Sequence, residues 1–152
     1  MTAKSVMDPH PSIIHPDETV AKAIEIIMQH RYRSLPVVDD DGCYLGIFGV
    51  HVLLSMVLPP AVIFDQGLTS APFVSDDLHD LRRRLARLEH EPVGQFTNQD
   101  ATTVTPDTPL VETLLVLYRT RASVPVIEGG TRRLVGMISY WDVGRRILEQ
   151  EY

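Results

Sequence analysis

The residues best suited to do chemistry are Ser139 and Asp142, three apart near the end of VGMISYWDV, residues 135–143. A carboxylate can accept hydrogen bonds from two neighbouring hydroxyls, such as those of a ribose, and its charge roughly doubles the strength of each. Ser139 ends a predicted strand and precedes a predicted helix. Its hydroxyl and the free N–H groups of the helix start therefore face a place that favours a phosphate. Asp and Ser are also preferred helix caps, worth about 1 kcal/mol with no ligand present. The two roles are compatible, since one side chain can cap when the site is empty and bind when it is filled. The string LGIFGVHVL, residues 45–53, repeats the strand pattern but has Gly49 and Val52 at the matching positions. Valine cannot accept a hydroxyl proton, so a ribose desolvated there would go uncompensated.

The likeness of these two strings extends through the chain. IIHPDETVAKAIEIIMQHRYRSLPVVDDDGCYLGIFG, from Ile13, lines up with TVTPDTPLVETLLVLYRTRASVPVIEGGTRRLVGMIS, from Thr103. Pro16 and Pro106 lie 90 residues apart, as do Gly46 and Gly136, while Pro36 and Pro125 are 89 apart. A fixed offset of this kind marks a duplication.

Each copy predicts the same order of elements. A short strand (Ser12–His15, Thr102–Thr105) leads through Pro-Asp into an amphipathic helix, whose apolar face is Val20, Ala23, Ile24, Ile27 and Met28, or Leu110, Leu114 and Leu117. Thr108 and Pro109 read as N-cap and first helical residue of the second copy. A hairpin follows, LPVVD to YLGIFG and SVPVIE to LVGMIS, and then a short helix, VLLSMV or DVGRRILEQ. Between the copies, VSDDLHDLRRRLARLEH predicts a helix capped by Ser75, with a stripe of Leu78, Leu81, Leu85 and Leu88. Its Arg82, Arg83, Arg84 and Arg87 read as a solvated face.

The bulk composition excludes several classes. With 152 residues, 44% apolar, the chain can bury a core. A net charge of -6 argues against nucleic acid, whose partners carry a basic excess. Residues 44–64, YLGIFGVHVLLSMVLPPAVIF, are long enough to span a bilayer, but Pro59 and Pro60 break the run, and it reads as a strand followed by a short buried helix. Cys43 is the single cysteine, and MTAKSVMDPH lacks a signal-peptide pattern, so a cytoplasmic location without membrane insertion is expected. No GxxxxGK[ST], HExxH, CxxC or GxSxG occurs, and no metal site or catalytic cofactor is expected.

Two copies of HPDETV/TPDTPL and LPVVD/VPVIE, with GMISYWD complete in one copy, resemble a tandem pair of CBS domains, the Bateman module. The resemblance implies an α/β (α+β) fold of two β-α-β-β-α motifs related by a pseudo-twofold axis. Motif 1 would span residues 1–57, a helical insert 58–91, and motif 2 92–152. It implies a regulatory protein and not an enzyme, with a cleft for an adenosine-containing ligand: AMP, ADP, ATP or S-adenosylmethionine. Homodimerisation, often into a flat disc of four motifs, and a separate effector protein, a transporter or an enzyme, are also implied. In that cleft Asp142 would hold the ribose and Ser139 the phosphate. Ser12 and Ile13 from the first copy, and Ser123, Val124, Pro125 and Met137 from the second, would wall the adenine. Trp141 would border the ribose, although Trp141 and Met137 are residue types more often found in a core. Arg121 would supply charge to a phosphate. The matching cleft keeps Ile47, Ser34, Thr102 and His51 beside Gly49 and Val52, and is expected to be vestigial. The alternative is a dimeric interaction scaffold in which Asp142 only caps. The segment Leu58–Phe73 is expected to cover a cleft or widen the dimer contact.

Overall fold

The structure, a computed structural model, describes residues 1–64 and 76–152. In the first lobe, helix α1 (Val20–His30) starts where the Thr19 side chain accepts the Lys22 N–H, and stops where Arg31 turns left-handed at φ 56. Its Val20, Ala23 and Ile27 are buried, whereas Met28, expected on the same face, is half exposed. Strands β1 (Ser34–Val38) and β2 (Tyr44–Gly49) form an antiparallel hairpin, followed by α2 (His51–Val57) and α3 (Pro60–Phe64). The apolar run at 44–64 is thus three short elements, and among the described residues no helix is long and apolar enough to cross a membrane.

Helix α4 (Leu78–Ala86) follows in the insert. Its N-cap is Asp77, in a capping box with Asp80; Ser75, the expected cap, lies outside the described residues, as do residues 65–73 of the insert. Leu85 and Leu88 pack on the first core, but Leu78 is 81% exposed and no part of the stripe. Starting the helix at Leu78 turns that residue outward. Arg82 pairs with Glu89 and Arg83 with Asp80 at the surface, but Arg84, expected on the same solvated face, is half-buried because it pairs with Asp76 and donates to Val57 O.

The second lobe repeats the plan with α5 (Leu110–Thr120), β3 (Val124–Ile127), β4 (Leu134–Ile138) and α6 (Tyr140–Leu148). Here Pro109 takes the N-cap position with no side-chain cap, because the Thr108 hydroxyl is spent on the Thr105 N–H. The strands expected at 12–15 and 102–105 shrink to single parallel bridges, Ile14 to Val37 and Val104 to Val126. Those bridges explain how Pro36 and Pro125 sit inside strands. Their carbonyls accept from Ile14 and Val104, and the return bonds come from Val38 and Ile127, so neither proline is asked to donate on that side.

The lobes exchange their leading segments. Ala3 and Val6 belong to the second core with Leu117, Val126 and Ile138, and Asp8 bridges to Met137. Val93 belongs to the first core, and Asn98 bridges to Ile47, the pseudo-symmetric equivalent of Met137. Both exchanges need a glycine beside the incoming backbone. A Cβ on Gly136 would meet the Asp8 carbonyl at 2.8 Å, and one on Gly46 would meet that of Asn98 at 2.5 Å. The hairpin turns then tie lobe to lobe: Tyr44 N–H donates to Arg132 O at 2.9 Å, and Leu134 N–H to Gly42 O at 3.0 Å.

Candidate functional site

At the opposite ends of the hairpins from those turns, the lobes enclose a cavity of about 460 Å³. On the second lobe's side, Ser139 N-caps α6 and forms a capping box with Asp142. The Ser139 N–H and hydroxyl both donate to Asp142 Oδ2, at 2.9 and 2.8 Å, while the Asp142 N–H donates to Ser139 Oγ at 3.2 Å. Among the described residues, Asp142 Oδ1 is partnered only by Arg145, at 3.6 Å. The carboxylate therefore caps and still keeps one oxygen able to accept from a hydroxyl pair. Met137, Ser123 and Trp141 complete that side, and Trp141 is 85% exposed at the rim instead of lying in the core.

The first lobe supplies Ser12, whose hydroxyl lies 3.1 Å from that of Tyr32, and the loop between α1 and β1. At the end of α1 His30 stacks on Tyr32 with ring centroids 4.9 Å apart, and Arg31 and Arg33 of the loop line the cavity. Among the described residues, neither arginine is in a salt bridge. Ser34, at the start of β1, is 5% exposed, and its hydroxyl has no hydrogen-bond partner among the described residues.

Of the ten expected site residues, the cavity brings together Ser12, Ser123, Met137, Ser139, Trp141 and Asp142. It does not bring the other four. Ile13 is 41% exposed elsewhere, while Val124 and Pro125 are buried in the sheet. Arg121 is the left-handed C-cap of α5, exposed, and meets the site only through its carbonyl, which accepts from Arg33 at 3.3 Å. The reason is topological: the second lobe's strand end faces the first lobe's helix-to-strand loop. Residues 30–34 accordingly take the place assigned to Arg121, and Ser34, expected in the other cleft, lines this one. Asp8, at the end of the exchanged N-terminal segment, is another lining residue that the repeat pattern does not reveal.

The pseudo-symmetric positions are filled differently. Val52 packs against the first core, and the His51 ring sits where a Cβ on Gly49 would stand, 2.6 Å away. Among the described residues, no three His, Cys, Asp or Glu side chains gather into a metal site.

Known structures share this architecture. A putative acetoin utilization protein, AcuB, from Vibrio cholerae is 20% identical with a TM-score of 0.73, covering 98% of this chain and 93% of its own. CBSX2, a protein of Arabidopsis thaliana solved in complex with AMP, is 20% identical with a TM-score of 0.70, covering 97% and 96%. The CBS domain pair of protein MJ0100, in complex with 5′-methylthioadenosine and S-adenosyl-L-methionine, is 18% identical with a TM-score of 0.64, covering 99% and 98%. No curated protein sequence matches significantly. The CBS-domain family model matches residues 3–58 and again 93–149, most of the chain, and the chain belongs to that family as a tandem CBS pair.

Proposed function

We propose that this protein is a regulatory module that binds one adenosine-containing ligand per chain, AMP, ADP, ATP or S-adenosylmethionine, in the cavity between the lobes. The observation that carries this reading is the pairing of a carboxylate oxygen on Asp142, outside the capping box and with Arg145 at 3.6 Å, with a roomy cleft whose opposite wall is another lobe. Asp142 accepts from the ribose hydroxyls, Ser139 and the start of α6 meet a polar group beyond the sugar, and Ser12, Ser123 and Met137 flank the base. Complexes of CBSX2 with AMP and of the MJ0100 pair with S-adenosyl-L-methionine support the ligand class. A ligand contacting both walls favours one angle between the lobes, and a separate effector protein reads that angle. Exposed apolar residues on α5 and α6, among them Val111, Tyr118 and Leu148, suit a homodimer contact.

The capping box favours a second reading, a dimeric scaffold without ligand, since Ser139 and Asp142 already satisfy each other. A thermal-shift panel separates the two. A ligand at a hundredfold its Kd stabilises by about 2.7 kcal/mol, which moves the midpoint by degrees. AMP, ADP, ATP, NAD and S-adenosylmethionine at millimolar concentration should include at least one such ligand, and Asp142→Ala should abolish its shift. A flat panel favours the scaffold.

A further inference from the structure

The exchange of leading segments brings Asp8 to the cavity that Ser139 and Asp142 line. The Asp8 N–H donates to Met137 O at 2.8 Å, and the Met137 N–H donates to Asp8 O at 3.0 Å. Met137 belongs to the wall that flanks the base in the proposed binding mode, and a base beside it meets no free N–H from this residue. The nearest polar side chain along that exchange is Asp8 itself.

The Asp8 side chain has one structural duty. Its Oδ1 accepts the His10 N–H at 2.9 Å and closes the turn that leads away from the exchange. Among the described residues, neither a second hydrogen bond nor a salt bridge engages the carboxylate.

The duplication shows how little that duty demands. Asn98, ninety residues on, makes the same backbone exchange, its N–H to Ile47 O at 2.8 Å and the Ile47 N–H to its carbonyl at 3.0 Å. Its Oδ1 accepts the Asp100 N–H at 3.0 Å, so an amide oxygen closes the turn as a carboxylate does. What differs is the other end of the side chain: the second oxygen of Asp8 can only accept, whereas the amide nitrogen of Asn98 can only donate. The carboxylate accompanies Met137 and Asp142, and the amide accompanies Ile47 and Val52.

We propose that Asp8 is the base-reading residue of the cavity, its carboxylate accepting from the exocyclic 6-amino group of an adenine. The assignment rests on the adenosine reading of this cavity and names the residue that selects the base. Met137 stands two residues before Ser139, so Asp8 and Asp142 meet the nucleoside at its base and at its sugar respectively. Selection then rests on one donor that the ligand either has or lacks.

The test is isothermal titration with two pairs of probes that differ only by the 6-amino group: AMP against purine riboside 5′-monophosphate, and adenosine against purine riboside. The parent should bind the amino-bearing member of a pair about tenfold more tightly, as expected for a hydrogen bond to a charged group. Asp8→Asn keeps the turn, as Asn98 does, and should bring the two members to within about twofold of each other. Asp142→Ala should weaken both members alike and leave their ratio as in the parent, which a general loss of fold would not do. Binding of either pair without preference overturns the assignment alone, as does a preference that Asp8→Asn leaves intact. If none of the four probes binds the parent, the adenosine reading falls and the assignment falls with it.

Discussion

Ser139 and Asp142 hold each other through three hydrogen bonds of 2.8, 2.9 and 3.2 Å, so the proposed ribose ligand meets a carboxylate that is already positioned. Preorganisation of this kind lowers the ordering cost of binding. It also means that an alanine scan confuses stability with recognition, because Asp142→Ala loses both the cap and the acceptor. Asp142→Asn separates them. Its amide oxygen still accepts the Ser139 N–H, so stability should fall by less than about 1 kcal/mol. Without the charge, ligand affinity should fall roughly tenfold or more. Trp141, the only tryptophan and a cavity residue, gives the readout through its fluorescence. Equal affinity in the Asn variant and the parent would remove Asp142 from the ribose.

Stoichiometry tests the other half of the asymmetry. Val52 is packed against the first core, and His51 covers Gly49, so the position matching Asp142 holds no acid and the one matching Ser139 has no room for a side chain. Isothermal titration of the best nucleotide should give one ligand per chain. A second equivalent that persists in Asp142→Ala would show that the first copy's cleft is competent.

The exchange of leading segments rests on two glycines. Gly136→Ala puts a methyl group 2.8 Å from the Asp8 carbonyl, and Gly46→Ala puts one 2.5 Å from that of Asn98. Backbone cannot retreat as a flexible side chain can, so each change should cost about 1 to 3 kcal/mol by overpacking. Gly136→Ala should also speed proteolysis near His10, because the N-terminal segment loses its seat. Gly129→Ala, with nothing within 4 Å, is the control and should stay within about 0.5 kcal/mol of the parent in denaturant unfolding.

The same glycines show what was legible in the sequence. Pro16 with Pro106 and Gly46 with Gly136 are fixed by backbone geometry repeated in each lobe, so matching letters disclosed the repeat, both hairpins and the helix that carries Asp142. The exchanged segments were hidden, since MTAKSVMD has no periodicity that names Met137 as a partner for Asp8. Arg121 and Arg31 end equivalent helices in the same left-handed conformation, and only the packing of the lobes decides that Arg31 reaches the cavity and Arg121 does not. Trp141, expected to border the ribose, does line the cavity: despite its hydrophobicity, its position one residue before Asp142 in the first turn of α6 puts it on the rim and not in the core.

Helix α4 should depend on Asp77 in a pH-dependent way. The Asp80 N–H, bonded to the Asp77 carboxylate, holds that carboxyl below the usual range. The ionised cap is fully present above about pH 4, the unfolded value, and is lost as the pH falls through the lower folded value. Asp77→Ala should therefore lower the midpoint slightly at neutral pH and flatten the acid limb. Arg84→Ala should do more, because Arg84 pairs with Asp76 at 2.7 Å and donates to Val57 O at 2.9 Å, joining the insert to the end of α2. If Arg83→Ala, at an exposed pair three residues from Asp80, proves as damaging as Arg84→Ala, that link is not what seats the helix.

Tyr44 governs the alkaline limb. Its folded pKa of about 12 lies above the ordinary value near 10, so the folded state holds this proton more tightly than the unfolded chain does. The resulting stability is complete below about pH 10 and is lost as the pH rises towards 12, amounting to about 2 to 3 kcal/mol at 1.4 kcal/mol per unit. Other tyrosines and the lysines titrate in the same window, so the useful quantity is the difference between the parent and Tyr44→Phe. At pH 7 the variant should be as stable as the parent or more so, because a buried hydroxyl without a partner among the described residues has been removed. Between pH 10 and 12 the parent should lose stability faster by that same amount in denaturant unfolding. Parallel curves for the two proteins would mean that the Tyr44 hydroxyl reaches solvent when folded, and that burial does not hold its proton.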